Sequence, residues 1–377
     1  MILLKIIGKK KPLLLCDRKA EGYKDLLTLN DFDSLLFSHA ARPFVRLVNN
    51  KRMLNVDDYI SQECKFLNRH KLLSDYKEGT TISLGKLETR YAPMKKLCQE
   101  FEKILGHPNR TETFLTPPHS QGFRAHYDSE NVFILQLGGQ KRWKIYDILI
   151  PFPLESSDTP YDGELPKPTW EIDLQPGDFL YLPRGYVHEA ATTTDYSLHI
   201  TMVIHVFTWL DLIYEALKQK PEFRKALPIG SLFSLSSEVL PLDNVQSVGE
   251  IFRDRDNMEL AFKKIKGKFT KKMQPAFNDS FTSFSPVQTL PHTLLKKREG
   301  MLCSLITEND QTAIHFGEEV ITGPSYIEPA LQYIVDVPHF SINTMPDTLS
   351  TEGNTVLVKS LIRAGLIVEV DARQHAN

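Results

Sequence analysis

The N-terminal third of the chain combines a helical period of apolar residues with short apolar strands. Residues 28 to about 110 have the pattern of polar helices separated by strands, and 43–48 is one such strand. In residues 91–105, apolar side chains recur at positions i, i+3 and i+4, so they lie on one face of an amphipathic helix. Gly106 ends this helix, because glycine adopts the left-handed conformation of a helix C-terminus at little cost.

The pattern changes between residue 111 and about residue 205. Short runs of β-branched and aromatic residues follow one another there, separated by proline, glycine and aspartate, as is typical of a small β-sandwich or barrel. Residues 132–137 and 141–146 flank a Gly-Gly-Gln sequence and are predicted to pair as a hairpin. Two further strands are expected over 179–182 and 197–206.

Helical patterns return in the second half of the chain. Apolar residues within 209–217 form a stripe that is more apolar than a single surface helix needs, so it packs within the chain or forms a dimer interface. A second helix is expected near 257–273. A helix over 351–364 precedes a strand at 366–370, an order compatible with a winged helix. The patterns divide the chain into four segments, namely 1–27, 28–206, 207–285 and 286–377.

Composition and charge are those of an ordinary soluble globular protein. The chain has 377 residues, of which 41% are hydrophobic and 24% charged, and its formal net charge is −2. These values exclude a disordered, fibrous or globally basic nucleic-acid-binding protein. No apolar run approaches the ~20 residues that span a bilayer. The four cysteines are scattered without a C-x-x-C pair, so they are predicted to be reduced thiols of a cytoplasmic protein.

A run of six lysines, from Lys263 to Lys272, interrupts this even charge distribution. Such a run most often forms the solvated face of a helix. The alternative is an attraction to RNA or to an acidic partner, since clustered lysines neutralise phosphates. The helix over 351–364 carries only Lys359 and Arg363 as basic residues, too little charge for duplex DNA, so the C-terminal segment is interpreted as a structural or protein-contact domain.

The sequence His126-Tyr127-Asp128, with His188 sixty residues after the aspartate, indicates a metal site. Residues two apart in a strand point to the same face, so His126 and Asp128 can bind one ion, and a facing strand could deliver His188 as a third ligand. Two imidazoles and one carboxylate leave coordination positions open, which suits a non-haem Fe(II) oxygenase that binds a 2-oxo acid and dioxygen. An H-x-D tripeptide alone more often lies on a surface.

Lys141 is predicted to point into the same β domain. It shares a strand face with Trp143 and Ile145, and a core position for those two places the lysine in the interior as well. A buried ammonium group is costly unless it meets an anion, and the far carboxylate of a dicarboxylate cosubstrate would supply one. The alternative is a lysine that extends to solvent at the end of the hairpin.

Four stretches resemble the JmjC ribosomal oxygenases, which have the cupin fold. They are Thr116-Pro-Pro-His-Ser-Gln-Gly-Phe-Arg-Ala-His126-Tyr-Asp128, Val132-Phe-Ile-Leu-Gln-Leu-Gly-Gly-Gln-Lys141-Arg-Trp143, and Leu174-Gln-Pro-Gly-Asp-Phe-Leu-Tyr-Leu-Pro-Arg-Gly-Tyr-Val-His188-Glu-Ala with Ser197-Leu-His-Ile-Thr201 after it. The resemblance implies an Fe(II)- and 2-oxoglutarate-dependent hydroxylase that acts on a histidine or arginine side chain of a ribosomal protein, as a homodimer.

The resemblance also implies an α+β fold and a role for each segment. A double-stranded β-helix, the cupin or JmjC jelly roll, would be followed by a helical dimerisation region and a winged-helix-like domain. In these terms, 1–27 is an N-terminal arm, 28–206 the catalytic domain with N-terminal helical decoration, 207–285 the dimerisation region and 286–377 the winged-helix-like domain.

Carried over by position, the resemblance makes His126, Asp128 and His188 the iron ligands. Lys141 would bind the far carboxylate of 2-oxoglutarate. The remaining residues of the cosubstrate pocket would be Thr116, Thr201, Phe114 and His199, of which His199 shares a strand face with Thr201.

Two positions depart from the family pattern. Phe114 stands where histidine-hydroxylating members usually have a tyrosine that hydrogen-bonds 2-oxoglutarate. Cosubstrate binding should therefore weaken by about 0.5–1.5 kcal/mol, unless Thr116 takes that role. Ser129 replaces an acidic residue that often follows the metal-binding aspartate. Lysine at position 141, where bacterial arginine hydroxylases tend to use arginine, places the chain nearer the histidine-hydroxylating members.

Other functions remain open at this level. The same chemistry could act on a free amino acid or a biosynthetic peptide. Activity on amino acids would favour that case, whereas copurification with ribosomal proteins would favour a ribosomal substrate. A catalytically silent cupin that serves as a scaffold is an alternative of another class, which failure to bind iron would indicate. Demethylation of histone lysines shares the iron site, but nothing in the sequence resembles the chromatin-reading modules that usually accompany it.

Overall fold

The computed structural model describes residues 11–16, 26–39, 44–49, 51–61, 66–154, 159–227, 248–273, 290–298 and 300–370. The chain divides into two units, Met1–Val206 and Phe207–Asn377. Most of the predicted N-terminal arm lies outside the described residues, as does part of the predicted helical region.

Antiparallel strands dominate the first unit. They are β1 (Leu13–Cys16), β2 (Val45–Asn49), β3 (Arg52–Met53), β4 (Thr81–Gly85), β5 (Asn109–Thr116), β6 (His126–Tyr127), β7 (Asn131–Gly139), β8 (Lys141–Ile148), β9 (Thr159–Pro160), β10 (Trp170–Leu174), β11 (Asp178–Leu182), β12 (Tyr186–Ala191) and β13 (Ser197–Ile204).

These strands form two sheets that face each other. The larger sheet has the order β1–β11–β7–β13–β5–β4–β2–β3, and the smaller has the order β10–β8–β12–β6–β9. Buried residues of both sheets meet between them, for example Ile134 and Leu180 from the larger sheet and Trp143 and Ile145 from the smaller. The expected strands at 179–182 and 197–206 correspond to β11 and β13. The two facing antiparallel sheets are the cupin-like arrangement that the family resemblance implied.

Helices cover the outer face of the larger sheet. They are α1 (Leu29–His39), α2 (Arg69–Lys77) and α3 (Ala92–Leu105), with 3-10 turns at Val56–Asp58 and Leu87–Thr89. The apolar face of α3 is buried, and its Phe101 ring contacts Phe133 of β7 with 5.4 Å between ring centroids. Gly106 follows α3 with φ +65°, so the predicted helix and its end are confirmed.

The predicted hairpin between residues 132–137 and 141–146 is wrong. β7 pairs with β11 and β13 in the larger sheet, whereas β8 pairs with β10 and β12 in the smaller sheet. The two glycines carry the chain from one sheet to the other. Gly139 has φ +59°, and a Cβ there would lie 1.8 Å from the carbonyl oxygen of Tyr196. A Gly-Gly turn between apolar strands therefore does not distinguish a hairpin from a crossing between facing sheets.

The second unit is described over 207–227, 248–273, 290–298 and 300–370. The helices are α4 (Trp209–Lys218), α5 (Val248–Arg253), α6 (Arg255–Lys272), α7 (Glu328–Asp336) and α8 (Thr351–Arg363), and the strands are β14 (Leu295–Lys297), β15 (Cys303–Glu308), β16 (Gln311–Phe316), β17 (Glu319–Pro324), β18 (His339–Phe340) and β19 (Ile367–Glu369). Strands β18–β14–β19 form one sheet and β15–β16–β17 another.

Helix α8 and strand β19 lie where the sequence predicted a helix followed by a strand. β19 pairs with β14, some seventy residues earlier in the chain. The winged-helix assignment remains a prediction. None of the helices in the described part of the chain is long and apolar enough to span a bilayer.

Helix α6 contains the lysine run of residues 263–272, and two of these lysines form ion pairs within the second unit. Lys264 forms a 2.9 Å ion pair with Glu308 and donates a 2.8 Å hydrogen bond to Gln219. Lys268 pairs with Glu215 of α4, which is buried. These two charges are partly neutralised within the fold, and RNA contact by the run remains a prediction.

Candidate metal centre and cosubstrate pocket

His126, Asp128 and His188 meet between the two sheets of the first unit. His126 on β6 is directly opposite His188 on β12, and their ring centroids are 4.3 Å apart. Asp128 follows β6, and its Oδ2 lies 3.7 Å from Nε2 of His188. One ligand atom from each residue lies within 4.8 Å of the other two. The three residues selected from the sequence therefore form one cluster.

Backbone contacts orient both imidazoles. Nδ1 of His126 donates a 2.8 Å hydrogen bond to the carbonyl oxygen of Arg124, and Nδ1 of His188 donates one of 3.1 Å to the carbonyl oxygen of Tyr186. Because a carbonyl oxygen only accepts, each ring carries its proton on Nδ1 and keeps the lone pair of Nε2 for another partner. This tautomer leaves Nε2 of each ring able to bind a metal ion.

Aromatic side chains enclose the cluster. Trp143 stacks on His188 with 5.8 Å between ring centroids, and Phe123 lies beside His126 with 5.9 Å between centroids. Asp128 and His188 are both buried. Burial penalises a carboxylate in its charged form, and a bound cation would offset that cost.

The donor set fits a divalent transition metal. Two imidazole nitrogens and one carboxylate oxygen make up the ligand set of non-haem Fe(II) centres, in which other ligands fill the remaining positions. Among the residues that the structure describes, these three form the one group of at least three histidine, cysteine or acidic side chains close enough to hold an ion.

Lys141 lies in the interior, as the face it shares with Trp143 predicted. It is only 5% exposed, and its Nζ donates a 3.0 Å hydrogen bond to Oγ1 of Thr116, which also accepts one from Thr81 at 3.1 Å. Burial lowers the pKa of Lys141 to about 7. Within the described residues no carboxylate pairs with this lysine, so an anionic ligand would supply its charge partner.

Phe114, His199 and Thr201 line the cavity that contains the metal cluster and Lys141. The ring of Phe114 stacks on His199 with 5.0 Å between centroids and 16° between planes. Burial and, to a smaller extent, the charge of Lys141 hold the pKa of His199 well below its usual value, so this imidazole is neutral at physiological pH. Thr116 is buried and holds Lys141.

Glu112 is a cavity residue that the sequence motifs did not reveal. It lies on β5, lines the same cavity, and its carboxylate accepts hydrogen bonds from Arg46 and Ser83. The two-residue period of β5 places it on the face of Phe114 and Thr116. Because Phe114 and Thr116 were already assigned to the pocket, the same alternation along β5 would have predicted Glu112 as a pocket residue.

Comparison with known proteins gives a match to the JmjC domain model over residues 87–212. Several curated relatives carry the name bifunctional lysine-specific demethylase and histidyl-hydroxylase NO66. The relative from Dictyostelium discoideum is 32% identical over 62% of this chain and 45% of its own length. That from Drosophila pseudoobscura pseudoobscura is 29% identical over 59% of this chain and 24% of its own length. Ribosomal oxygenase 1 of Danio rerio is 28% identical over 59% of this chain and 43% of its own length.

The chain spans less than half the length of these curated relatives. Among solved structures, Escherichia coli YcfD aligns with a TM-score of 0.57 and 15% identity over 98% of this chain and 97% of that one. A structure of this ribosomal oxygenase in complex with cobalt and 2-oxoglutarate gives a TM-score of 0.55 and 14% identity, over 98% and 99%. At such identities the likeness shows a shared fold. Residues 87–212 therefore match the JmjC domain model, the chain has a cupin-like α+β fold, and it is similar to the ribosomal oxygenases, as its motifs indicated.

Proposed function

We propose that this protein is an Fe(II)- and 2-oxoglutarate-dependent oxygenase that hydroxylates an amino-acid side chain of a protein. The observation that carries the proposal is the presence of the His126–Asp128–His188 cluster and Lys141 in one cavity. A cluster of this kind alone would suit many metal-binding cupins. The buried lysine adds a site for a dicarboxylate, which favours 2-oxoglutarate as the cosubstrate.

His126, Asp128 and His188 would hold the iron, and the backbone carbonyls that accept from the two Nδ1 groups keep the imidazoles in place. When bound, Fe(II) supplies oxidative chemistry, in which one atom of dioxygen enters a substrate C–H bond and the other enters succinate as 2-oxoglutarate loses carbon dioxide. In its charged form, Lys141 binds the far carboxylate of 2-oxoglutarate. Phe114 and the neutral ring of His199 exclude water from that pocket.

The target is proposed to be a histidine or an arginine of a ribosomal protein. Glu112 offers a hydrogen-bond acceptor at the cavity wall, and the bonds it accepts from Arg46 and Ser83 hold the carboxylate in place. Imidazole and guanidinium side chains both carry N–H donors that such an acceptor would bind. One relative is named as both a lysine-specific demethylase and a histidyl-hydroxylase, and another as a ribosomal oxygenase. These names support a histidine target and a ribosomal protein substrate.

Homodimer formation through α4 belongs to the same proposal. Trp209, Leu210 and Tyr214 are exposed on this helix to 79%, 55% and 60%. Large exposed aromatic and aliphatic side chains on one helix are typical of a protein interface. Most of the apolar stripe predicted from the sequence packs within the second unit, since Leu212, Ala216 and Leu217 lie in a cluster with Ile251 and Ala261. The dimer proposal therefore rests on the exposed face of α4.

The experiment uses ribosomal proteins as substrates. The purified protein is incubated with Fe(II), 2-oxoglutarate and air together with ribosomal proteins from cells that lack it, and peptides are analysed by mass spectrometry. We expect one histidine or arginine to gain the mass of an oxygen atom, with no gain in the Asp128→Ala variant. Oxidation of free amino acids with no change in any protein would favour the small-substrate alternative. Consumption of 2-oxoglutarate no faster than in the variant would indicate a silent scaffold.

A further inference from the structure

A second cavity opens directly outside the metal centre. This outer groove has a volume of about 580 Å³ and is lined by residues that include Lys51, Arg52, Met53, Phe123, Arg124 and His126. Phe123 and His126 also line the cavity of the metal cluster, so the two cavities adjoin. A polypeptide that presents one side chain to the metal centre would therefore place neighbouring residues in the outer groove.

The outer groove is positively charged. Lys51, Arg52 and Arg124 are exposed, and none of the described residues that line the groove is acidic. Arg124 lies 3.2 Å from Asp162, but both side chains are at least half exposed, so solvent weakens this pair. Neither Lys51 nor Arg52 lies within 4 Å of a carboxylate of a described residue. Lys51 does act on Glu189, whose pKa is lowered, against the effect of burial, mainly by its hydrogen bonds to Gln121 and Tyr146 and to a smaller extent by the charge of Lys51.

We infer that the outer groove binds a segment of the substrate that carries aspartate or glutamate beside the hydroxylated residue. This inference rests on the proposed function and specifies the local sequence of its protein substrate. The three cations provide the electrostatic complement for acidic side chains, and Met53, which is 56% exposed, provides an apolar contact for their aliphatic parts. The acidic character is a local property of the segment, whatever the net charge of the protein that contains it.

A nucleic acid fits the outer groove less well. Single strands bind through cations that follow the backbone together with aromatic rings on which successive bases stack. Among the described residues that line the groove, Phe123 is the one aromatic ring besides the imidazole of His126. The Phe123 ring already packs edge-on against Phe114 with 5.8 Å between centroids. A polypeptide is therefore the occupant that the lining favours.

The test compares two fluorescent peptides of equal length with one central histidine, flanked by acidic residues in one and by basic residues in the other. A second pair carries a central arginine. Binding to the full-length metal-free protein is measured by fluorescence anisotropy at low salt. We expect the acidic peptide to bind at least about fivefold more tightly, and this preference to shrink as salt is added, because the charges are exposed.

Charge reversal locates the effect. The double variant Lys51→Glu, Arg52→Glu should lose or invert the preference. The matched control is Lys96→Glu, since Lys96 is exposed on α3 and lines neither cavity, and it should keep the wild-type preference. Equal binding of both peptides, or tighter binding of the basic one, would overturn the inference. So would tighter binding of a single-stranded RNA of similar length that depends on Lys51 and Arg52.

The peptide experiment needs no metal, so it stands apart from the test of the proposed function. Anaerobic addition of Fe(II) and 2-oxoglutarate to the same double variant should still produce the visible charge-transfer band of a chelated 2-oxo acid. Loss of the acidic preference together with an intact band would support the groove assignment. An absent band in the wild type with a retained preference would contradict the proposed function and still support the groove assignment.

Discussion

Nζ of Lys141 donates a 3.0 Å hydrogen bond to Oγ1 of Thr116 inside the β domain. The Thr116 hydroxyl is neutral, so this hydrogen bond brings no opposite charge to the ammonium group of Lys141. Burial lowers the pKa of Lys141 to about 7, so the lysine changes its charge near neutral pH. The strength of cosubstrate binding and the stability of the fold should both depend on this change.

Binding of 2-oxoglutarate should weaken as the pH rises above about 7. 2-Oxoglutarate binds the ammonium form of Lys141. Above the pKa that Lys141 has in the ligand-free protein, the lysine must take up a proton when the anion binds, so the affinity should fall by up to about tenfold per pH unit. Titration of the visible band with 2-oxoglutarate at several pH values measures this dependence. Lys141→Arg keeps its charge and should bind with little pH dependence. An equally steep dependence in that variant would assign the titration to another group.

The same lowered pKa predicts how stability changes with pH. Between about pH 7 and about pH 10, the unfolded chain binds a proton at Lys141 that the folded chain does not, because an unfolded lysine has a pKa of about 10.4. The free energy of unfolding should therefore rise with pH in this window. Urea unfolding of the wild type and of Lys141→Met would show the rise in the wild type alone. Parallel pH profiles would contradict a lowered pKa.

Phe114→Tyr should strengthen 2-oxoglutarate binding. Phe114 lines the cavity and stacks on His199, and a tyrosine in the same position would add a hydroxyl group to that wall. One additional hydrogen bond corresponds to an affinity gain of about two- to tenfold. The dissociation constant can be measured from the same visible band, with Phe114→Leu as a control that adds no hydroxyl. Weaker binding by the tyrosine variant would show that the hydroxyl does not reach the cosubstrate.

Glu112→Gln should impair substrate turnover and spare cosubstrate binding. The substitution keeps an acceptor oxygen but removes the charge that strengthens a hydrogen bond to an imidazole or guanidinium group. We expect kcat/KM for a protein substrate to fall about tenfold while the affinity for 2-oxoglutarate is unchanged. Glu100→Gln on the exposed face of α3 is the control. An equal loss of 2-oxoglutarate affinity would place Glu112 in the cosubstrate pocket instead.

Gly139→Ala should destabilise the first unit. Gly139 has a positive φ, and a Cβ there would overlap the carbonyl oxygen of Tyr196, so the crossing between the sheets would have to shift. We expect a loss of about 2–4 kcal/mol in the free energy of unfolding. Gly249 of α5 is the control, because a Cβ added there has no neighbouring atom within 4 Å. Gly249→Ala should be neutral or stabilise the fold by up to about 1 kcal/mol. Equal effects of the two substitutions would show that the crossing is not constrained.

The metal ligands and the buried lysine could be predicted because both depend on the two-residue period of a strand. That period places His126 beside Asp128 and Lys141 beside Trp143, whatever the partners of their strands. The pairing of β7 and β8 could not be predicted in the same way. The local chemistry of Gly138 and Gly139 is the same for a hairpin and for a crossing between sheets, and only the distant partners of the strands decide between them.

Features that join remote segments were not visible in the sequence. The contact between Arg46 and Glu112 links residues 66 apart, and neither belongs to a metal-type motif. The outer groove combines β2 and β3 with residues 123–126, which are also far apart along the chain. Each segment alone resembles an ordinary polar surface, and the charge pattern emerges only when the fold brings them together.

The most direct test of the metal centre is anaerobic addition of Fe(II) and 2-oxoglutarate to the purified protein, followed by visible absorption. If His126, Asp128 and His188 hold iron beside a chelated 2-oxo acid, a charge-transfer band should appear in the wild type and be absent in Asp128→Ala. A folded wild-type protein that shows no band in excess iron and 2-oxoglutarate would contradict the oxygenase assignment and favour a binding or scaffold protein.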